Sequence, residues 1–186
     1  MSRTKTEKPA GRSSAENEST LQRVQRLIHQ GNYNAALESA FHPGPDLQMR
    51  NAKGVCLLRL GRAQEAITLY REMLYKSGCS WIRPELPTIY KLNFATALLL
   101  AANPSGCAEI LRETMDESHP GVQRLRACIR QWKLSLTFWQ RLNWMCGWTS
   151  EENSHIPLDF EPGLLEDGVI AELPANSQTG HFTSPD

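Results

Sequence analysis

The amino-acid sequence predicts an all-α protein, on three observations. Apolar residues recur at helical spacing from about residue 20 to residue 145, and glycine and proline interrupt that pattern at short intervals. No stretch alternates with period two for long enough to form a sheet. A length of 186 residues suits one domain with chain to spare at both ends. The expected organisation is a disordered N-terminal tail over 1–19, a helical domain over 20–148 and a disordered acidic tail over 149–186.

Each element has its own signal. Residues 1–19 hold almost no large apolar side chain, so burial cannot offset the entropy of ordering them. Ser19 followed by Gln22 reads as a capping box opening the first helix, whose apolar stripe is Leu21, Val24, Leu27 and Ile28. Gly31 ends it, Tyr33–Phe41 is a second short helix, and His42-Pro43-Gly44-Pro45-Asp46 is a turn. Leu47–Leu60 resumes the pattern, Gly61 interrupts it and Ala63–Tyr75 follows. A longer connection, Ser77–Pro87, leads to Ile89–Ala102, which is apolar nearly all round and so predicts a central buried helix. Asn103-Pro104-Ser105-Gly106 turns the chain into Cys107–Glu117, and His119-Pro120-Gly121 punctuates again. Val122 to about Met145 then reads as one long helix, with Leu125, Ile129, Trp132, Leu136 and Trp139 along one stripe.

Within this series three landmarks repeat. A leucine in one helix is followed nine positions later by an alanine in the next, in the pairs Leu27/Ala36, Leu57/Ala66 and Leu99/Ala108. A small residue there lets two helix backbones approach. Gly31 and Gly61 stand five residues before the alanine and Asn103 fills the third slot, all residue types that tolerate the left-handed conformation. Residues 17–120 thereby resemble the tetratricopeptide repeat family, a helix-turn-helix unit of about 34 residues. The middle unit carries the resemblance best, in Gly54-x2-Leu57, Gly61 and Ala66-x3-Tyr70; Arg50 and Lys53 depart from the pattern. The resemblance implies an antiparallel helical-hairpin repeat array, a short solenoid of about three repeats, and it makes the long helix from Val122 its C-terminal cap. It also implies a concave groove for a peptide segment, lined by Asn51, Val55 and Arg59 in the middle repeat and by Tyr90, Asn93 and Ala97 in the third.

Charge and composition narrow the function. Twenty basic and twelve acidic residues lie up to Arg141, a formal +8, and the other eight acidic residues lie beyond it, −8, giving zero overall. That balance gives no footprint for nucleic acid. The segment Ile156-Pro157-Leu158-Asp159-Phe160-Glu161-Pro162-Gly163-Leu164-Leu165-Glu166-Asp167, with Gly168-Val169-Ile170 after it, alternates acidic with apolar residues as docking segments do. The opposite charges then predict that the tail docks in the groove of its own repeat domain until a partner displaces it. Arg124, Arg126, Arg130 and Lys133 read as a solvated face, and Trp132, Phe138, Trp139, Trp144 and Trp148 as the cap's packing surface, with a protein-docking or membrane-surface face as the other reading.

Five cysteines without a CxxC pair argue against a disulfide framework and a zinc knuckle, and for a reducing, cytoplasmic setting. The longest apolar run, Phe94–Ala102, is far shorter than the ~20 residues of a membrane span. His29, His42, His119, His155 and His181 form no metal or catalytic pair, and no phosphate loop or nucleophile elbow occurs. No cofactor or metal is expected. The expected activity is that of a non-enzymatic scaffold or adaptor binding a protein or peptide segment. A secretion- or export-type chaperone is the runner-up, and a thiol-based redox protein, acting through a cysteine such as Cys107, is a third reading.

Overall fold

The computed structural model describes residues 13–40, 46–76, 78, 81–114, 116–146 and 156–166. These form eight helices: α1 Ser13–His29, α2 Tyr33–Ser39, α3 Leu47–Arg59, α4 Ala63–Leu74, α5 Thr88–Leu100, α6 Pro104–Glu113, α7 Pro120–Ser135 and α8 Phe138–Met145. The chain is all-α; among the described residues the sole strand-like pairing is an isolated bridge between Tyr75 and Ile82. Consecutive helices from α1 to α7 pack on one another, and α3 also packs on α1 and α5.

The same turn closes α1, α3 and α5. In each, the second residue past the helix end sits in the left-handed region: Gly31 and Gly61 at φ 73° and Ala102 at φ 57°. The hydrogen bonds match position for position. Gly31 N–H reaches Ile28 and Asn32 N–H reaches Leu27; Gly61 and Arg62 reach Leu58 and Leu57; Ala102 and Asn103 reach Leu99 and Leu98. These bonds satisfy carbonyls that a helix end would otherwise leave unpaired. The third turn lies one residue earlier than its spacing predicts. Ala102, not Asn103, is left-handed, while Asn103 caps α6 by accepting from Gly106 N–H. The small residue packed behind this turn is accordingly Cys107, fully buried like Ala36 and Ala66, whereas Ala108 is only partly buried.

Three further boundaries differ from expectation. Helix α1 starts at Ser13, so the expected tail 1–19 is helical over its last seven residues and Ser19 lies inside the helix. The single long helix expected over 122–145 is two helices. Thr137 breaks it with a capping box, its hydroxyl accepting from Gln140 N–H and its own N–H donating to the Gln140 side chain. Residues 156–166, expected in a disordered tail, pack on the helices through side chains given below. The remaining tail residues, the turn over 41–45, Cys79 and Trp148 lie outside the described residues.

The apolar interior has two parts. The larger is built around α5, whose residues from Tyr90 to Leu99 are all buried, together with α4, α6 and α7; the smaller joins α1, α2 and α3 through Val24, Ile28, Ala36, Ala52 and Val55. Ile156 belongs to the larger and Leu165 to the smaller.

Candidate functional site

Helix α3 brings Asn51, Val55 and Arg59 to one side at intervals of four residues, which places them on one helical face. Helix α5 places Tyr90 and Asn93 beside them, and residues 156–166 lie across both helices.

At the centre is a connected polar network. Asn93 Nδ2 donates to the Leu164 carbonyl (2.8 Å), and Asn93 Oδ1 accepts from the Leu164 N–H (2.8 Å). Asn51 Nδ2 donates to the same carbonyl (3.1 Å). Asn51 Oδ1 accepts from Asn93 Nδ2 (2.8 Å) and from the Tyr70 hydroxyl (3.0 Å). Both asparagines are 1% exposed. Two buried amides therefore spend most of their hydrogen-bonding capacity on each other, on Tyr70 and on the backbone N–H and carbonyl of one residue. Contacts of this kind fix an extended backbone and say nothing about the side chain it carries.

Charge and rings flank this network. Arg59, the last residue of α3, pairs with Glu161 (Nη1 to Oε1, 2.9 Å) and donates to the Pro162 carbonyl (Nε, 3.2 Å) and the Gly163 carbonyl (Nη2, 3.4 Å). Its guanidinium also lies 5.4 Å from the centre of the Tyr33 ring, and the Tyr33 hydroxyl donates to Glu161 (2.7 Å). The Tyr90 hydroxyl donates to Glu166. From α7, Arg124 stacks over Phe160 and the Cys128 thiol lies 3.6 Å from Asp159. Burial, with the Asp159 carboxylate second, pushes the Cys128 thiol up from its ordinary value. Gly163 sits at φ 90°, and a Cβ there would stand 2.9 Å from Val55 Cγ1 and 3.2 Å from Val55 Cα.

Of the six residues expected in the groove, five touch this segment or stand against it: Asn51, Val55, Arg59, Tyr90 and Asn93. Ala97 is fully buried in the larger core cluster, against which Leu164 packs. Spacing alone did not mark Tyr33, Arg124 or Cys128, because each comes from a helix other than α3 and α5. Tyr70 stood out only as a repeat landmark, and its hydroxyl is the outer end of the asparagine network.

The other singled-out residues are dispersed. Trp132 and Trp144 meet edge to face, with Lys133 over Trp144, whereas Phe138 and Trp139 are exposed. Arg126 pairs with Glu117 and bonds the Leu111 carbonyl, so Arg124, Arg126 and Lys133 of the basic cluster on α7 each face different partners. Burial pushes the Cys56 thiol up to about 11 and the Cys107 thiol up to about 12. Neither is poised as a nucleophile near neutral pH. Among the described residues no helix is long and apolar enough to cross a membrane, and no group of three or more His, Cys, Asp or Glu is placed to hold a metal. Compared with protein-family models, curated proteins and solved structures, the chain matches none.

Proposed function

We propose that this protein is a non-catalytic interaction scaffold or adaptor. Its helices act as a short tetratricopeptide-like array of helical hairpins, and the α3–α5 face is the groove in which a protein segment is held extended. The observation that supports this best is the pair of hydrogen bonds from the Asn93 side chain to the Leu164 N–H and carbonyl, with Asn51 added on the carbonyl. A side-chain amide that donates to the carbonyl and accepts from the N–H of one residue replaces the pairing a neighbouring strand would supply. Because rigid helices carry it, the groove is ordered before its ligand arrives. Residues 156–166 are then the chain's own occupant, which a partner segment exchanges for. The thiol-based alternative gains nothing from Cys56 and Cys107, whose burial suppresses the thiolate.

The test uses the full chain carrying Gly163→Val, which expels its own segment without altering the groove. A labelled peptide spanning residues 156–166 binds this variant in fluorescence anisotropy. Adding Asn93→Ala weakens binding by roughly ten- to a hundredfold, since the Leu164 N–H and carbonyl each lose a partner while still being taken from water. Equal binding to both variants, or none to Gly163→Val, removes the proposal.

A further inference from the structure

Resting on that reading, we infer that the groove selects a partner protein by an acidic segment with one obligatory glycine. In order, its positions are an acid, a free position, glycine, two apolar residues and an acid. The chain's own Glu161-Pro162-Gly163-Leu164-Leu165-Glu166 is a tethered copy that competes for the site.

Each position follows from a contact. The glycine is fixed twice over. Its φ of 90° lies where a side chain is strained, and a Cβ would press on Val55 Cα, which rotation of the valine side chain cannot relieve. The acid two places earlier meets Arg59 and the Tyr33 hydroxyl, and Arg59 is largely buried behind it. The acid three places after glycine meets the Tyr90 hydroxyl. The second apolar residue, Leu165, is buried in the smaller core cluster. The first, Leu164, borders a cavity of about 320 Å³ whose lining includes Leu92, Thr96, Gly121, Arg124 and Phe160, so this position admits a side chain larger than leucine. The Asn51 and Asn93 bonds go to backbone and supply affinity common to all sequences. Selectivity therefore rests on Val55, Arg59, Tyr90 and the two apolar sites.

A foreign partner is favoured over a second copy by the tether. Ten residues, 146–155, join the end of α8 to Ile156. A link of so few residues keeps the segment close to the groove and so raises its effective concentration there, on the order of millimolar for a short tether. A second copy at cellular concentration offers the same sequence with no advantage, whereas a partner that fills the cavity beside Leu164 gains contacts the tail lacks.

The experiment is affinity selection of a random peptide library on the full chain carrying Gly163→Val, with circular dichroism confirming its helical content. A full chain with a protease site placed within 147–155, cut after folding, serves as the second target. Retained peptides should share a glycine, an acid two places before it and two apolar residues after it, with phenylalanine or methionine frequent directly after the glycine. Replacing the glycine by alanine in the tightest peptide should weaken binding at least tenfold. Retained peptides without a fixed glycine or acid overturn this specificity but leave segment binding standing. If neither target retains any peptide, segment binding itself falls. If the unaltered chain sediments as a dimer and Gly163→Val as a monomer, the occupant is a second copy and the foreign partner is overturned.

Discussion

Gly54 shows how one atom holds the site together. A Cβ at this position would stand 2.3 Å from the Tyr70 hydroxyl and 2.4 Å from the ring carbon that bears it. The α3 backbone must therefore be bare there for Tyr70 to reach Asn51. Tyr70 is fully buried, and that burial raises its hydroxyl above the ordinary range, so it is a donor at any physiological pH. Gly54→Ala should displace the ring, strand Asn51 Oδ1 and cost about 2–4 kcal/mol in urea unfolding. Gly31→Ala, with nothing within 4 Å, should cost only about 1 kcal/mol of left-handed strain. Equal costs would show that Tyr70 moves aside freely. In sequence Gly54 was legible as the small partner of Leu57, a landmark without a contact. The residue it makes room for lies one helix away, and no local pattern in α3 names it. Asn51 and Asn93 were legible only as groove positions that the repeat resemblance implies, and the atoms that satisfy them belong to a segment more than 70 residues downstream.

Helix boundaries were readable where chain chemistry is unambiguous and not where one signature competes with another. Ser19-x2-Gln22 and Thr137-x2-Gln140 are the same capping pattern. The second opens α8, but the first lies inside α1, because a serine within a helical run can remain helical when the residues before it also favour helix. The apolar stripe running through Leu136 and Trp139 concealed the break at Thr137, since an unbroken period says nothing about a change of axis. Likewise Asn103 suits both a left-handed position and an N-cap. The cap wins because Pro104 follows at the first helical position, where its fixed φ and missing N–H fit, and where it disfavours helical backbone at the residue before it. The capping box of α8 should be a measurable local unit. Thr137→Ala removes the hydroxyl acceptor, worth about 1 kcal/mol, and should speed hydrogen exchange at the amides of 139–145 about fivefold while leaving α5 amides unchanged. Unchanged exchange in α8 would mean that packing of Trp144 on Trp132, and not the cap, holds the helix.

On the scale of the whole molecule, composition predicted a charge division and the structure gives it a location. Glu161 meets Arg59, while Asp159 and Phe160 face Cys128 and Arg124 of α7. The exposed part of this attraction is screened by salt, but Ile156 and Leu165 are anchored in the two separate core clusters, so the segment contributes to the interior as well as to the surface. That dual role was illegible in sequence: prolines and acids mark a chain that cannot form a helix, and the same residues suit an extended strand lying on helices. The all-α class, by contrast, was written in the spacing of apolar residues over most of the chain. The interior also sets the response of the fold to pH. Cys56 and Cys107 ionise near 9.0, the ordinary value of a thiol, when the chain is unfolded, but only at about 11 and about 12 when folded. The folded state therefore keeps protons that the unfolded state releases, so stability is intact below pH 9 and falls as pH rises through the window up to 11–12. Each thiol contributes about 1.4 kcal/mol of loss by pH 10, a combined fall of about 2–3 kcal/mol, to which Tyr70 adds above its own unfolded value. Urea unfolding at pH 8 and pH 10 should show this drop, and Cys107→Ala, less stable at pH 8, should show about half of it between the two. A fall of the same size in Cys107→Ala would assign alkaline instability to the tyrosines and lysines instead of to the buried thiols.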